Sequence, residues 1–280
     1  MESTANPWGN ADYAPTLKIT SALCAVAAQF IARDLNDQTS LNFLDIAAGT
    51  GAMLSEVLKT CSPFHLSSGS FTVTDFSPGM IEKAKRFIGS LEEYMCTQIY
   101  FQVMDAQSLE FEANQFTHLS CMFGIMFFAD RSKAFSEMFR VLRIGGMAVI
   151  SSWHHTDLAD FTLVFADYLR NGGRAAYELK PFVSVCSVAE EFKQELLSAG
   201  FSSAEIHMEE KIITFGTTET AGLFRFLSTN PVIQPLLGGA AVTQWEEFLR
   251  ENEEVQRMKW VDAAGNISFR VVSNIAVARK

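Results

Sequence analysis

A chain of 280 residues with 22 Lys and Arg against 32 Asp and Glu (net charge -10), 48% hydrophobic residues and 24 phenylalanines can bury a large core, which excludes a mainly disordered protein. Its acidic balance gains nothing from counterion release on a polyanion, so nucleic acid is not an expected partner. The five cysteines are far apart and never spaced Cys-x-x-Cys, and only His154 and His155 adjoin among the histidines, so neither a disulfide framework nor a metal site is expected.

The first thirty residues lack a basic stretch followed by an apolar one. The densest apolar run, 121–129, reaches roughly half of a bilayer span. A cytoplasmic protein with no membrane span is the expectation. Residues 17–32 carry Leu17, Leu23, Val26, Phe30 and Ile31 at helical spacing and predict a helix within an N-terminal lid over 1–40. From there, short β-branched or apolar runs at 42–47, 71–75, 99–104, 117–123 and 147–153 alternate with amphipathic stretches. Ser77-Pro78 predicts an N-cap and first helical residue, with Met80, Ala84, Phe87, Ile88 and Leu91 on one face. A second helix carries Ala134, Phe135, Met138, Phe139 and Leu142, with Gly145-Gly146 as its expected stop. Later come a helix near 157–169 and a capping box at Ser187–Glu190 opening a helix that Gly200 closes. Strands are expected at 204–208 and 267–278, separated by an insertion read as helical.

Strands alternating with helices imply an α/β, doubly wound sheet. The expected division is a main domain over 41–210 and 266–280, with 211–265 inserted as a cover over a binding site. In such sheets ligands bind beyond the carboxyl ends of the strands. After the first strand, Gly49-Thr50-Gly51 fits either a backbone that approaches a ligand or a tight strand-to-helix turn. Asp75, after the second, suits ribose hydroxyls or a helix cap, although Ser77 is better placed to cap. Asp105-Ala106, after the third, suits an exocyclic amino group or a solvated turn. In this order the three describe an adenosine pocket. The third glycine of a dinucleotide loop is missing, since Leu54 stands there, and no triphosphate loop is present.

Asp45 with Ala47-Ala-Gly49-Thr-Gly51, Asp75-Phe-Ser-Pro-Gly-Met80, Asp105-Ala106 and Arg140-Val-Leu-Arg-Ile-Gly-Gly146 together resemble the class I S-adenosylmethionine-dependent methyltransferases. The resemblance is to their small-molecule branch, which includes quinone C-methyltransferases and natural-product methyltransferases. It implies a mostly parallel, seven-stranded Rossmann-like sheet with S-adenosylmethionine as cofactor and a hydrophobic small molecule as acceptor. O-, S-, N- and C-methylation all remain open, and secondary metabolism is a candidate setting. The carried-over roles place Ala47, Gly49 and Gly51 at the methionine part of the cofactor and Asp45 toward its amino group. Asp75 would hold the ribose, Phe76 and Met80 would flank adenine, Asp105 and Ala106 would meet its edge, and Phe123 would border the methyl group. Tyr13 is the aromatic expected to close over the cofactor, with Trp8 competing. Ala47 replaces a glycine of the family and is expected to take a negative φ.

Met126, Phe127 and Trp153 are the expected acceptor lining, with core packing as the alternative for 125–128. His154 and His155, beyond the fifth strand, are the candidates for a general base, His154 being nearer the strand; exposed loop histidines are the competing reading. A cofactor-binding protein that transfers no methyl and an NAD(P)-dependent oxidoreductase are the alternative functions. The oligomeric state is not legible.

Overall fold

In the computed structural model, which describes residues 14–36, 40–91, 98–171, 187–231, 233–237 and 239–280, the chain begins with helix α1 (Ala14–Asp34). Then follow β1 (Asn42–Ile46), α2 (Ala52–Thr60), α3 (Pro63–Ser68), β2 (Ser70–Asp75), α4 (Pro78–Gly89), β3 (Gln98–Val103) and β4 (Phe116–Met122). Next are α5 (Arg131–Val141), β5 (Leu142–Thr156), α6 (Asp157–Arg170), α7 (Ala189–Ser198) and β6 (Ser203–Phe215). The C-terminal part holds α8 (Thr220–Thr229), α9 (Gln234–Leu237), α10 (Val242–Glu251), α11 (Glu253–Arg257) and β7 (Ile267–Arg279).

The strands make one seven-stranded sheet in the order β3-β2-β1-β4-β5-β7-β6. β1 to β5 run parallel, and only β7 is antiparallel to its neighbours β5 and β6. The order reverses between β1 and β4, which opens the crevice where such sheets bind ligands. Central strands are buried on both faces: every residue of β4 up to Cys121 is buried, polar ones included, whereas the edge strand β3 alternates between exposed and half-buried over Gln98–Gln102.

Local chemistry sets the element ends. The Ser77 hydroxyl accepts from the Met80 N–H at 3.3 Å and caps α4, and Pro78 occupies the first turn. Gly200, at φ 111°, closes α7, with the Phe201 N–H reaching back to the Leu196 carbonyl. Two expected signals act differently. α5 ends at Val141 because Leu142 already pairs with Phe116; Gly145 (φ 73°) and Gly146 instead make a bulge, where a Cβ on Gly146 would lie 2.8 Å from the Thr117 carbonyl oxygen. Ser187 caps nothing: Val188 is the N-cap of α7, and the Ser187 carbonyl accepts from His154 and Asn274.

β6 and β7 pair over their whole lengths, from Ser203–Arg279 to Phe215–Ile267. Residues 211–215 are therefore strand rather than part of a helical insertion, because Lys211-Ile-Ile-Thr-Phe215 continues the β-branched pattern. The helices α8 to α11 hang from the tip of this hairpin.

Packing forms three clusters. On one face α1, α2 and α4 bury Ala27, Ile31, Leu54, Val57 and Ala84 against Phe43 and Phe71. On the other, α5 and α7 bury Phe135, Met138, Phe192 and Leu196. The third joins α6, α8 and α10 to the hairpin and reaches Phe123 at the end of β4. Among the described residues one helical stretch, Pro15–Asp34, is long and apolar enough to cross a membrane; here it packs on α2 and the sheet, with Leu23, Ala27, Ala28 and Ile31 fully buried. Its end is tied down by Asp34, which accepts from buried His118 at 3.0 Å and from Arg279 at 2.9 Å. The His118 bond and the Arg279 guanidinium hold the Asp34 carboxyl well below the usual carboxylate range.

Candidate functional site

The carboxyl ends of β1 and β2 converge on one loop. Asp45 lies opposite Ser120 in the sheet register, and the Ser120 hydroxyl donates to its Oδ1 at 2.7 Å. Its Oδ2 is buried without a hydrogen-bond partner. Burial pushes the Asp45 carboxyl up to about 7, the Ser120 bond and an approach of the Leu54 backbone N–H too poorly aligned to satisfy Oδ2 opposing this and nearby Asp75 adding to it. Ser120 was not singled out in the sequence; its place opposite an acid on the neighbouring strand is the signal that finds it.

Asp75 holds the loop in shape. Its Oδ2 accepts from the Gly49 N–H and its Oδ1 from the Ser77 N–H, both at 2.9 Å. Burial raises its carboxyl pKa while these two N–H groups oppose the shift. Gly49 and Gly51 take φ of 56° and 86°, and a Cβ added to Gly49 would meet nothing within 4 Å, so this loop faces open space. On Gly51 a Cβ would lie 3.3 Å from Ile88 of α4, so that glycine serves close packing.

Ala47 corrects an expectation: its φ is 52°, in the left-handed region, so alanine keeps the conformation of the glycine it replaces. The loop needs that turn because Ala47 packs against the end of β4, where a Cβ on Gly124 would lie 2.5 Å from the Ala47 Cβ. A left-handed alanine costs roughly 1–2 kcal/mol, and glycine gives back about 0.5–1 kcal/mol through the freedom of the unfolded chain. Ala47→Gly is therefore expected to stabilise the fold by about 0.5–1 kcal/mol in urea denaturation; a destabilised variant contradicts this reading.

Phe76 is 57% exposed, whereas Met80, in the first turn of α4, is buried, so the structure does not present the two as an equivalent pair of rims. After β3, Asp105 is exposed and accepts from the Gln107 N–H at 2.8 Å, beside buried Ala106. The Gln107 side-chain oxygen in turn accepts from the Asp130 N–H at 2.7 Å, which fastens this loop to the start of α5.

Contact between Gly124 and Ala47 links the loop to an aromatic platform. Phe123, at φ 57°, donates its N–H to Ser151 Oγ at 3.0 Å, and its ring stacks on Trp153 with centroids 3.9 Å apart and planes at 18°. Met126 packs beside this stack, while Phe127 turns outward at 56% exposure.

The histidines are placed differently from expectation. Trp153 pairs with Ser273 and His155 with Val272, a one-residue shift in the ladder. Ser273 and Val272 are neighbours and point to opposite faces, so this bulge turns His155 to the face opposite Trp153. There its Nε2 meets Asp157 Oδ1 at 2.8 Å. His154 is exposed, with Nδ1 on the Ser187 carbonyl at 2.8 Å. Neither joins the Phe123–Trp153 platform. Tyr13 and Trp8 lie outside the described residues.

The profile of the ubiE/COQ5 methyltransferase family matches residues 23–208. A demethylmenaquinone methyltransferase of Lactococcus lactis is 30% identical over 182 residues, 61% of this chain and 69% of that protein. One from Thermus thermophilus is 30% identical over 184 residues, 62% of this chain and 77% of that protein. Among solved structures, a Bacillus halodurans protein described as a methyltransferase superposes with a TM-score of 0.55 at 19% identity, covering 91% of this chain and 98% of that one. The YcgJ protein of Bacillus subtilis gives 0.54 at 17% identity with the same coverage. At these identities the structures support the fold alone.

Proposed function

The chain belongs to the ubiE/COQ5 methyltransferase family, and from that premise we propose that its hydrophobic acceptor is a flat hydroxylated aromatic of the reduced-quinone type. It is a methyltransferase that uses S-adenosylmethionine, which sets aside the oxidoreductase alternative. Quinones enter through the two demethylmenaquinone methyltransferases it resembles. The observation that carries the acceptor shape is the Phe123–Trp153 stack, in which half-buried Trp153 of β5 lies flat on buried Phe123 just past β4.

The residues present fit the cofactor. Asp45 Oδ2 is buried and lacks a partner, as suits a carboxylate awaiting an ammonium group, and the open side of Gly49 leaves room for close approach. S-adenosylmethionine supplies a methyl group on a positively charged sulfur, so its displacement needs alignment and dryness more than added charge. In this reading Asp45 takes the amino group, Asp75 accepts from the ribose while clamping Gly49, and Asp105 with Ala106 meets the adenine edge. Phe76 lies over the base from outside, and Met80 supports the loop from within. Phe123 and Trp153 align the acceptor plane and exclude water. No histidine among the described residues is assigned to the acceptor's proton, and an already ionised quinol needs no base. The reading retains a cytoplasmic enzyme of secondary metabolism that leaves nucleic acid alone; the net charge supports the last point.

The Asp45 carboxyl gives a pH dependence. Its folded pKa, about 7, lies well above the ordinary value for an aspartate. Its contribution to the free protein's stability is therefore present at acid pH and lost as pH rises through about 4 to 7. Pairing with an ammonium favours the ionised form, so affinity for S-adenosylhomocysteine should rise between pH 5 and 8, with proton release. Calorimetry checks this; Asp45→Asn should flatten the profile, and an unchanged one disconnects Asp45 from the cofactor.

The acceptor is tested with naphthalene-1,4-diol kept reduced, plus S-adenosylmethionine, read by mass spectrometry. A singly methylated product supports the proposal, and its fragmentation separates ring-carbon from oxygen methylation. Turnover of non-aromatic acceptors with none on quinols would refute it.

A further inference from the structure

The bulge in β5 that takes His155 away from the Phe123–Trp153 platform brings it to two acids at the start of α6. His155 Nε2 lies 2.8 Å from Asp157 Oδ1 and 3.9 Å from Asp160 Oδ2, and the three ligand atoms all fall within 4.8 Å of one another. They are recessed: side-chain exposures are 23% for His155, 16% for Asp157 and 8% for Asp160. Asp157 and Asp160, three residues apart on one helix, share a side of its first turn, and the other oxygen of Asp157 is oriented by the Arg270 N–H at 2.8 Å.

We propose that His155, Asp157 and Asp160 form a divalent transition-metal site at the junction of β5 and α6. Donor atoms bonded at about 2.1 Å stand about 3.0 Å apart when cis in an octahedron and about 3.4 Å apart in a tetrahedron. The observed 2.8 and 3.9 Å from His155 to the two acids bracket those separations, and all three donor atoms lie within 4.8 Å of one another, so side-chain adjustment can draw them onto one ion. One imidazole nitrogen with two carboxylate oxygens suits Mn2+, Fe2+, Co2+ or Zn2+. Ca2+ wants six to eight oxygens, and Mg2+ prefers an all-oxygen shell. The Arg270 N–H on Asp157 is the outer contact that orients a ligating carboxylate. A bulge is a device for re-aiming a side chain, and here it re-aims the imidazole onto the acids.

Phe161, which directly follows Asp160, belongs to the third core cluster, so an ion bound by His155 of β5 and the two acids of α6 clamps α6 to the sheet. The site stands independently of the quinol reading.

Co2+ added to chelator-washed protein tests it by calorimetry and by the visible spectrum of the ion. Expected are one ion per chain, bands of nitrogen- and oxygen-ligated Co2+, and a rise in melting temperature. His155→Gln and Asp160→Asn should each weaken binding at least about tenfold, whereas His154→Gln, next in sequence, should keep it. Metal-free melting curves of the variants separate lost ligation from lost fold, and if one variant fails to fold the other supplies the reading. No saturable binding up to about 1 mM, where even weak metal modules are occupied, or equal binding by His155→Gln, overturns the proposal.

Discussion

Asp75→Ala should weaken S-adenosylhomocysteine binding by at least about 100-fold. The Asp75 carboxylate accepts from both the Gly49 and Ser77 N–H groups, and hydrogen bonds to a charged group contribute about 1.5–3 kcal/mol each. Alanine leaves both donors without their acceptor and releases the Gly49–Gly51 loop proposed to face the cofactor, before the proposed ribose contact is counted. About 2.7 kcal/mol corresponds to 100-fold. Asp75→Asn, which keeps one acceptor oxygen, should lose less. Calorimetry on the two variants, with circular dichroism to monitor the fold, gives the comparison. Wild-type affinity in Asp75→Ala would remove this residue from the site.

The second large effect concerns stability. Phe161 of α6 is fully buried and meets Trp245, Phe248, Trp260 and Phe269 edge-on, with centroids 5.5, 5.3, 5.4 and 5.1 Å away. These rings come from α10, the segment after α11, and β7, so one side chain joins the insertion to the sheet. Phe161→Ala removes the ring and leaves a cavity that four large aromatics cannot close, which costs about 3–5 kcal/mol. Urea denaturation should show a loss in that range, and one below about 1 kcal/mol would mean that the cluster repacks. Because Phe161 is remote from Asp45 and Asp75 in the chain and packs in a different cluster, folded variant should retain S-adenosylhomocysteine while losing acceptor turnover.

Much of this was legible in the amino-acid order. All seven strands carry their own signal, because each is a short run rich in β-branched, aromatic or other apolar residues set between helical stretches. The loop glycines and the acids at successive strand ends could be located because each follows an apolar run that marks the end of a strand. What stayed hidden depends on partners distant in sequence. Ala47 was expected at negative φ from local sterics, but the strand-to-loop turn after β1 holds it at φ 52°, with its Cβ against Gly124 at the end of β4. His154 and His155 read as residues just beyond the fifth strand, at the end that faces the site; β5 instead runs on to Thr156, and one extra residue in the β5–β7 ladder turns His155 away from Trp153, which no local pattern announces. The helix stop expected at Gly145-Gly146 failed because pairing of Leu142 with Phe116 competes with another helical turn. The insertion's first five residues read as a cover, yet β7 supplies a strand partner for each of them.

The most direct test of the central claim is the fate of the methyl group. Isotopically labelled S-adenosylmethionine is incubated with the protein and reduced quinols, and the by-product and the acceptors are followed together. The account predicts S-adenosylhomocysteine and methylated quinol in equal amounts, both strongly reduced in Asp75→Ala at a cofactor concentration near the wild-type Kd. Cofactor binding without label in any quinol, or label only in protein or nucleic acid, would contradict it.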